Sequence, residues 1–288
     1  MKTISALALL GLLFVTLANA ATPESEWTFT VGVTPMTGLT DFGFRRAPDW
    51  KTQARFVVPP LQGSLPAQFD WRGRGIVGPI RDQAAPVYCG SCWAHGTIAA
   101  LEGAIAMKTG RVPSIAPQQL VSCQPSYGTC GGGDFAFGFY RQVGANYESE
   151  FPYEAADIEC KEGAPQHEKI SDWGYVGSEE REPSIAELKA AIFTYGPIAV
   201  TVASSRSWSS YRGGVYNACD SQSINHIVAL VGWDDADGTW IVRNSHGTQF
   251  GEQGYMRTKQ LDRNGQKCNG IGGSAAFAVY TPNTPQFH

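Results

Sequence analysis

Cys92 occupies the position in this chain that most favours nucleophilic chemistry. It ends the run Cys89-Gly90-Ser91-Cys92 and begins residues 92–108, where apolar residues recur at three- and four-residue spacing before Gly110. This pattern predicts a helix that ends at the glycine. Free N–H groups and the dipole at a helix N-terminus stabilise an anion, which lowers the pKa of a cysteine placed there. We therefore expect Cys92 to react as a thiolate.

A cysteine nucleophile also needs a proton acceptor, commonly a histidine, and a third group that holds the acceptor in the right tautomer. His226 directly precedes the apolar run 227–231, and Asn244 follows shortly after the apolar run 240–242. These two residues are therefore candidates for the acceptor and the orienting group.

Each of these residues also has a simpler interpretation. Cys89 and Cys92 fit a thioredoxin-like redox pair, although that motif needs a preceding strand and helix context. A zinc site needs further ligands at close spacing, and the chain has one Cys-x-x-Cys motif only, so we expect no metal. His226, beside apolar neighbours, fits a buried histidine with a structural role.

The flanking sequence predicts the elements that position these residues. Three segments carry helix signals: 92–108, 117–121, and the segment that begins with the capping box of Ser184 and Glu187 and ends at Gly196. Four short apolar runs predict strands: 198–202, 227–231, 240–242 and 276–279. Helices followed by strands indicate an α+β fold with two lobes, and a cleft between lobes is a common place for a site.

Taken together, the motifs resemble the papain family of cysteine peptidases, and the resemblance covers residues 65–288. The matching motifs, in chain order, are Leu65-Pro66, Asp70-Trp71-Arg72, Gln83, Cys89 to Trp93, Cys123, Cys130-Gly131-Gly132-Gly133, Tyr211-Arg212-Gly213-Gly214, Asn225-His226 and Asn244-Ser245. The resemblance implies a two-lobe fold with a helical N-terminal lobe, an antiparallel β-barrel C-terminal lobe and an active-site cleft between them.

The resemblance also implies roles for individual residues. Cys92 is the nucleophile, His226 the general base and acid, and Asn244 the orienting amide. Gln83 donates to the oxyanion beside the Cys92 backbone N–H, a kind of contact that contributes ~2.7–4 kcal/mol per donor in acyl-transfer sites. The substrate-binding residues implied are Gly132 and Gly133 as a backbone shelf, with Ile224, Asn225 and His246. Without the resemblance, the glycines are also consistent with a simple turn, and Gln83 with an ordinary loop amide.

Six of the seven cysteines remain once Cys92 is set aside. Six cysteines can pair in ~15 ways, and sequence alone does not choose among them. The family pattern implies the pairs Cys89–Cys130, Cys123–Cys160 and Cys219–Cys268. The one unpaired thiol is then the one placed for catalysis.

Two features depart from the family pattern. An insertion before the nucleophile, residues 84–88, resembles that of cathepsin X, but its composition lacks the histidine that holds a substrate C-terminus there. We therefore expect an endopeptidase, unless Arg81, His95 or His246 replaces that histidine. His246 and Phe250 stand where the family has tryptophans, which predicts a wetter catalytic histidine, a rival base at His246, or a catalytically silent binding protein.

The N-terminal residues predict export and a precursor. Residues 1–20 have a basic start, an apolar stretch and the small-residue site Ala18-Asn19-Ala20, the pattern of a secretory signal peptide. Residues 21–64 are Pro- and Gly-rich, lack cysteine and carry several aromatic residues, so we expect a short propeptide that inhibits by lying in the cleft; a disordered leader is the alternative. No Asn-x-Ser/Thr acceptor is present, which favours secreted or periplasmic delivery over glycan-dependent lysosomal sorting.

Composition narrows the partners. The 288 residues carry a net charge of −4 and 43% hydrophobic residues, with no run of Lys or Arg, so nucleic acid is not an expected partner. We expect protein or peptide substrates, no cofactor, no membrane attachment after signal removal, and a monomer.

Overall fold

A computed structural model describes residues 21–33, 36–37, 39, 41–60, 63–220 and 223–282 of the chain. The predicted signal peptide, residues 1–20, lies outside these ranges. Within them, no helix is both long and apolar enough to cross a bilayer.

Six α-helices lie within the described residues, and the second forms the core of one lobe. Their bounds are α1 Trp50–Gln53, α2 Cys92–Thr109, α3 Pro117–Cys123, α4 Phe137–Gln142, α5 Ile185–Tyr195 and α6 Arg206–Ser209. Residues 92–106 of α2 are all buried, as expected for a helix that is apolar on every side. Gly110 ends α2 in the left-handed conformation, and both halves of the capping box of Ser184 and Glu187 begin α5, as predicted.

Twelve strands are present in the same ranges. Their bounds are β1 Thr28–Val31, β2 Phe56–Val57, β3 Gln68–Asp70, β4 Gly128–Thr129, β5 Gly132–Gly133, β6 Asp172–Val176, β7 Ile198–Val202, β8 Tyr211–Tyr216, β9 His226–Asp234, β10 Thr239–Arg243, β11 Tyr255–Lys259 and β12 Ala275–Val279. Ten of them form one sheet in the order β1-β8-β11-β10-β9-β7-β12-β6-β2, with β3 on β9, and β4 pairs with β5.

Most sheet pairings are antiparallel, including those of β9 with β7 and β10. Two are parallel: β8 with β11, and β2, which precedes Leu65, with β6. Both parallel pairs join strands that are distant in the chain, and parallel neighbours require such long crossover connections. The broader prediction of an α+β fold is confirmed.

The residues that precede Leu65, which we call the N-terminal segment (residues 21–64), contribute strands to the sheet. β1 pairs antiparallel with β8, and β2 pairs parallel with β6, so the segment contacts both ends of the sheet path.

Two hydrophobic clusters form the core, which agrees with two lobes. One surrounds α2, α3 and α4, and includes Trp93, Leu101 and Phe137. The other lies between the sheet and α5, and includes Trp208 and Trp233.

Contact between α2 and β9 joins the two lobes and brings their site residues together. A Cβ atom added at Gly96 of α2 would lie 2.4 Å from Cγ2 of Ile227 on β9. The helix and the strand can therefore pack this closely only because residue 96 has no side chain. Cys92 is one helical turn before Gly96, and His226 directly precedes Ile227.

Gly96→Ala therefore tests how strongly the site depends on this contact. The added methyl group should force α2 away from β9, destabilise the fold by about 1–3 kcal/mol and reduce turnover. Denaturant unfolding and peptide hydrolysis measure the two effects. Gly73→Ala is the matched control, because no atom lies within 4 Å of the Cβ added there. Equal behaviour of the two variants would contradict the role given to the contact.

Candidate active site

Cys92 is the first residue of α2 and is fully buried. Hydrogen bonds from the backbone at Ile227 and Trp93 favour the thiolate, yet burial outweighs them and raises the pKa of Cys92 to about 12. The expectation of a lowered pKa is therefore wrong for the full-length chain. The physical reason is desolvation, because removing a thiolate from water costs more than these backbone dipoles return.

His226, the first residue of β9, forms the hydrogen bond predicted for an oriented base. Its Nε2 lies 2.9 Å from Oδ1 of Asn244, and the Ser245 N–H donates to the same oxygen at 2.9 Å. Because Oδ1 can only accept, Nε2 carries the proton and Nδ1 is left as the basic nitrogen. Nδ1 is buried and has no hydrogen-bond partner among the described residues. Burial lowers the pKa of His226 to about 4, partly offset by the bond to Asn244.

His246 lies on the opposite side of the same asparagine. Its Nδ1 lies 3.1 Å from Nδ2 of Asn244, and its ring stacks on that of His226 with centroids 5.0 Å apart. Burial lowers the pKa of His246 well below its ordinary value. Asn244 engages Nδ1 of His246, and the His246 ring packs against the His226–Asn244 pair.

The prediction of a wetter histidine is wrong for this form of the chain. His226 is 0% exposed, Asn244 4% and His246 1%. Phe42 of the N-terminal segment covers both imidazoles, with ring centroids 4.9 Å from His226 and 5.1 Å from His246. Phe250 packs edge-on against His246 at 5.3 Å. Aromatic cover is therefore present: Phe250 supplies part of it from a position where the family pattern has a tryptophan, and Phe42 of the N-terminal segment supplies the rest.

Gln83 is fully buried and is held by bonds at both ends of its amide. Its Nε2 donates to the carbonyl oxygens of Phe42 and Cys89 at 3.0 and 3.1 Å, and its Oε1 accepts from Oγ of Ser245 at 2.8 Å. The Gln83 amide thus donates both to a carbonyl of the N-terminal segment and to the carbonyl of Cys89.

The predicted backbone shelf is occupied by the N-terminal segment. Gly133 N–H donates to the Gly43 carbonyl at 2.8 Å, and the Gly133 carbonyl accepts from Arg45 N–H at 2.9 Å. A Cβ atom added at Gly132 would lie 2.7 Å from both Arg45 Cγ and the Gly43 carbonyl oxygen. A side chain at Gly132 would therefore clash with the bound peptide, whereas glycine leaves space for the peptide backbone.

The facing side of the cleft contacts the same peptide. The Asn225 carbonyl accepts from Phe44 N–H at 3.2 Å. Ile224 lies in the wall of a neighbouring cavity of about 400 Å³, which Phe44 and Trp50 also line. The predicted site residues thus converge on one strip of peptide, residues 42–45.

Two residues that support the site were not predicted from the sequence. Tyr153 Oη donates to the Gln83 carbonyl at 2.9 Å and lies 2.6 Å from Oγ of Ser91, so it links the Gln83 loop to the start of α2. Ser245, noted only as part of a motif, orients Gln83 through its hydroxyl. Neither contact follows from local spacing, because each joins residues far apart in the chain.

The inserted loop carries no charged side chain into the cleft. Tyr88 donates its hydroxyl to the Asp41 carbonyl, and Val87 is exposed. Arg81 is engaged by Glu102 at 2.7 Å, and Nδ1 of His95 lies 3.0 Å from the Ser91 carbonyl. No group of His, Cys, Asp and Glu suited to a metal ion is found in the part of the chain that the structure describes.

The described residues form three disulfides, Cys89–Cys130, Cys123–Cys160 and Cys219–Cys268, and Cys92 is the free cysteine. The pairing of Cys89 with Cys130 removes the partner that a Cys89–Cys92 redox pair would need. Comparison with known families agrees with this arrangement, since the model of the papain family cysteine proteases matches residues 65–279. The chain belongs to the papain family.

Individual cysteine peptidases are also similar to this chain. A cathepsin L-like peptidase of Aedes aegypti is 36% identical over 233 residues, covering 77% of this chain and 66% of that protein, and cathepsin K of Gallus gallus is 37% identical over 253 residues, covering 85% and 72%. Digestive procathepsin L2 proteinase from Tenebrio molitor larval midgut superposes with a TM-score of 0.77 at 29% identity, covering 88% of this chain and 84% of that one. This chain thus spans just under two thirds of the mosquito relative.

Burial of the thiol predicts slow alkylation of the intact chain. At pH 7 a pKa of about 12 instead of 9.0 leaves about 1,000-fold less thiolate. Cys92 in the full-length protein should therefore react with iodoacetamide at least about 100-fold more slowly than a free cysteine, and Phe42→Ala should accelerate the reaction. Phe193→Ala, at an exposed phenylalanine of α5, is the control. A wild-type rate equal to that of free cysteine would contradict the buried thiol.

Proposed function

We propose that the chain is the precursor of a cysteine peptidase that hydrolyses peptide bonds through Cys92, His226 and Asn244. The observation that carries this proposal is the contact of Gln83 Nε2, the proposed oxyanion donor, with the Phe42 carbonyl oxygen of the peptide that lies in the cleft. Oriented His226, with its free Nδ1, supplies the base that this chemistry requires.

The reaction follows from these groups. His226 Nδ1 takes the proton of the Cys92 thiol, and the sulfur attacks the carbonyl carbon of the substrate. The oxyanion that forms is held by Gln83 Nε2 and the Cys92 backbone N–H. His226 then gives its proton to the leaving amine as the C–N bond breaks, leaving a thioester. Water, deprotonated by His226, attacks the thioester, and the thiol returns with release of the carboxylic acid.

The N-terminal segment is proposed to inhibit this reaction before it is removed. Residues 42–45 fill the cleft, and their cover raises the pKa of the Cys92 thiol and lowers that of His226, so the precursor holds both groups neutral and apart from water. Removal of residues 21–64 restores solvent and allows the thiolate–imidazolium pair to form.

Export is proposed from the sequence and the disulfides. The pattern of residues 1–20 is that of a secretory signal peptide, and disulfides persist in oxidising compartments such as the periplasm or the extracellular space. We propose a monomeric secreted enzyme with protein or peptide substrates.

Substitution of the site residues tests the proposed chemistry. Cys92→Ser and His226→Ala should each reduce kcat/KM for a peptide by at least about 1,000-fold, because each removes a member of a unit that acts together. His246→Trp should change it by less than about threefold. Undiminished hydrolysis by Cys92→Ser, or a larger loss at His246 than at His226, would overturn the assignment. Wild-type protein without any hydrolysis or enhanced thiol reactivity would instead indicate a silent binding protein.

Acid should release the N-terminal segment. His226, whose pKa is lowered to about 4 in the closed form, and His246 are both neutral while buried, whereas exposed imidazoles protonate near pH 6.5. The open form therefore binds more protons, and the closed form loses relative stability as the pH falls from about 6.5 towards about 4.

Limited proteolysis of the inactive Cys92→Ser chain measures this release. Cleavage within residues 41–46 by an added protease, normalised to an unstructured peptide at each pH, should accelerate between pH 7 and 5. His246→Phe, which removes one titrating ring, should weaken the pH dependence. A flat profile in both variants would contradict the proposed cause.

Cleavage within chains, rather than from their C-termini, is proposed because residues 84–88 carry no charged side chain, Arg81 is paired with Glu102, and His95 and His246 are buried. An unpaired carboxylate in a cleft is costly to desolvate. A peptide and its C-terminally amidated twin should therefore be cleaved at rates within about threefold of each other. If amidation sharply slows cleavage and products shorten by one residue at a time, the enzyme is a carboxypeptidase.

A further inference from the structure

Tyr88, the last residue of the inserted loop, contacts the peptide that lies in the cleft. Its hydroxyl donates to the carbonyl oxygen of Asp41, which directly precedes Phe42 in the N-terminal segment. The Phe42 carbonyl in turn accepts from Gln83 Nε2 at 3.0 Å. Two successive carbonyls of one peptide are thus held by two donors of the peptidase domain, the hydroxyl of Tyr88 and the amide of Gln83.

The loop that carries Tyr88 is fixed at both ends by the peptidase domain itself. At its start, Ala84 N–H donates to Oδ1 of Asp82 at 2.9 Å. At its end, Cys89 directly follows Tyr88 and is joined to Cys130 by a disulfide. None of these contacts involves the N-terminal segment. The backbone of Tyr88 therefore keeps its place when the segment is removed.

The Tyr88 hydroxyl is suited to donate a hydrogen bond. Burial raises its pKa from 10.0 to about 12, so the hydroxyl keeps its proton at neutral and acidic pH. Among the described residues, the Asp41 carbonyl is its hydrogen-bond partner. Removal of residues 21–64 takes this partner away and leaves a hydroxyl donor beside the cleft, where a peptide carbonyl can replace it.

Tyr88 and the backbone shelf hold opposite sides of Phe42. Gly133 of the shelf pairs with residues 43–45, whereas Tyr88 holds Asp41. When a scissile carbonyl lies at the oxyanion donor, one arm of the substrate therefore lies on the shelf and the other at Tyr88, whichever way the chain runs. The acyl arm must stay bound through both half-reactions, so it fits the shelf, which offers both an N–H and a C=O. The arm at Tyr88 is then the leaving amine.

We propose that Tyr88 binds the main-chain carbonyl of the first substrate residue after the scissile bond, and that the enzyme therefore favours bonds that are followed by further peptide. The Asp41 carbonyl occupies this place in the precursor. Because the contact is made to the main chain, the preference concerns the length of the substrate beyond the bond and not the identity of its side chains. This inference rests on the proposed peptidase function and specifies its substrates.

The test uses the full chain, processed in vitro, with active sites counted by iodoacetamide labelling. One acyl peptide is joined to either of two leaving groups: para-nitroaniline, which has no main-chain carbonyl, or alanyl-alanine amide, which has one. Tyr88→Phe should reduce kcat/KM for the alanyl-alanine amide substrate about fivefold, as expected for the loss of one neutral hydrogen bond. It should change kcat/KM for the nitroanilide by less than about 1.5-fold.

Tyr195→Phe is the matched control. It removes the same hydroxyl from α5, which carries no residue of the site, and where the Tyr195 ring stacks on Phe277 with centroids 3.8 Å apart. It should cleave both substrates as wild type does. Equal loss on both substrates in Tyr88→Phe, or no loss on either, would overturn the inference, while nitroanilide cleavage by the wild type upholds the peptidase function. No cleavage of either substrate by the wild type would overturn both.

A second measurement covers the case in which Tyr88→Phe does not fold. In the alanyl-alanine amide substrate, the amide that contains the carbonyl of the first residue after the scissile bond is replaced by a trans-alkene of the same shape. The wild type should cleave this analogue about fivefold more slowly than its parent, and Tyr88→Phe should cleave the two equally, because both changes remove the same hydrogen bond. Equal cleavage of parent and analogue by the wild type would contradict the contact at Tyr88.

Discussion

The contact between the first turns of α2 and the start of β9 is the constraint on which the site depends. Each element belongs mainly to a different lobe, and the pair of residues that touch, Gly96 and Ile227, lie one turn from Cys92 and one residue from His226. Only a glycine permits this approach. The nucleophile therefore lies on a buried helix, and the base lies on the longest strand of the sheet. Both residues are thus positioned by rigid elements.

Desolvation then determines the state of that site. When the N-terminal segment covers the cleft, the thiol, the two stacked imidazoles and the Asp134 carboxylate all lose contact with water. Burial raises the pKa of the thiol and lowers that of the imidazoles, and it also raises the pKa of the Asp134 carboxyl, an effect that the pairing with Arg46 opposes. One peptide segment thus covers the nucleophile and pairs with the buried carboxylate of Asp134. The same physics makes the closed form sensitive to acid, because each buried histidine opposes protonation.

Local patterns predicted the elements that carry the chemistry, and failed where distant residues decide the outcome. The capping box and Gly196 gave both bounds of α5, and the glycine after α2 ended it as expected. β8 and β11 were missed because glycines in one and charged residues in the other interrupt the apolar signal. The resemblance implied the His226–Asn244 pair, but the stacking of His246 and the aromatic cover from Phe42 depend on contacts across the whole chain, which no spacing rule encodes.

The central claim is that residues 43–45 of the intact chain cover the backbone shelf at Gly133. Amide hydrogen exchange of the inactive Cys92→Ser chain, before and after removal of residues 21–64 by an added protease, measures this directly. Gly133 N–H donates to the Gly43 carbonyl in the intact chain, so its amide should be protected there and exchange much faster after removal. Leu230 in the centre of β9, paired with Ile198, should stay protected in both forms. Fast exchange at Gly133 in the intact chain, or no change on removal, would contradict the account.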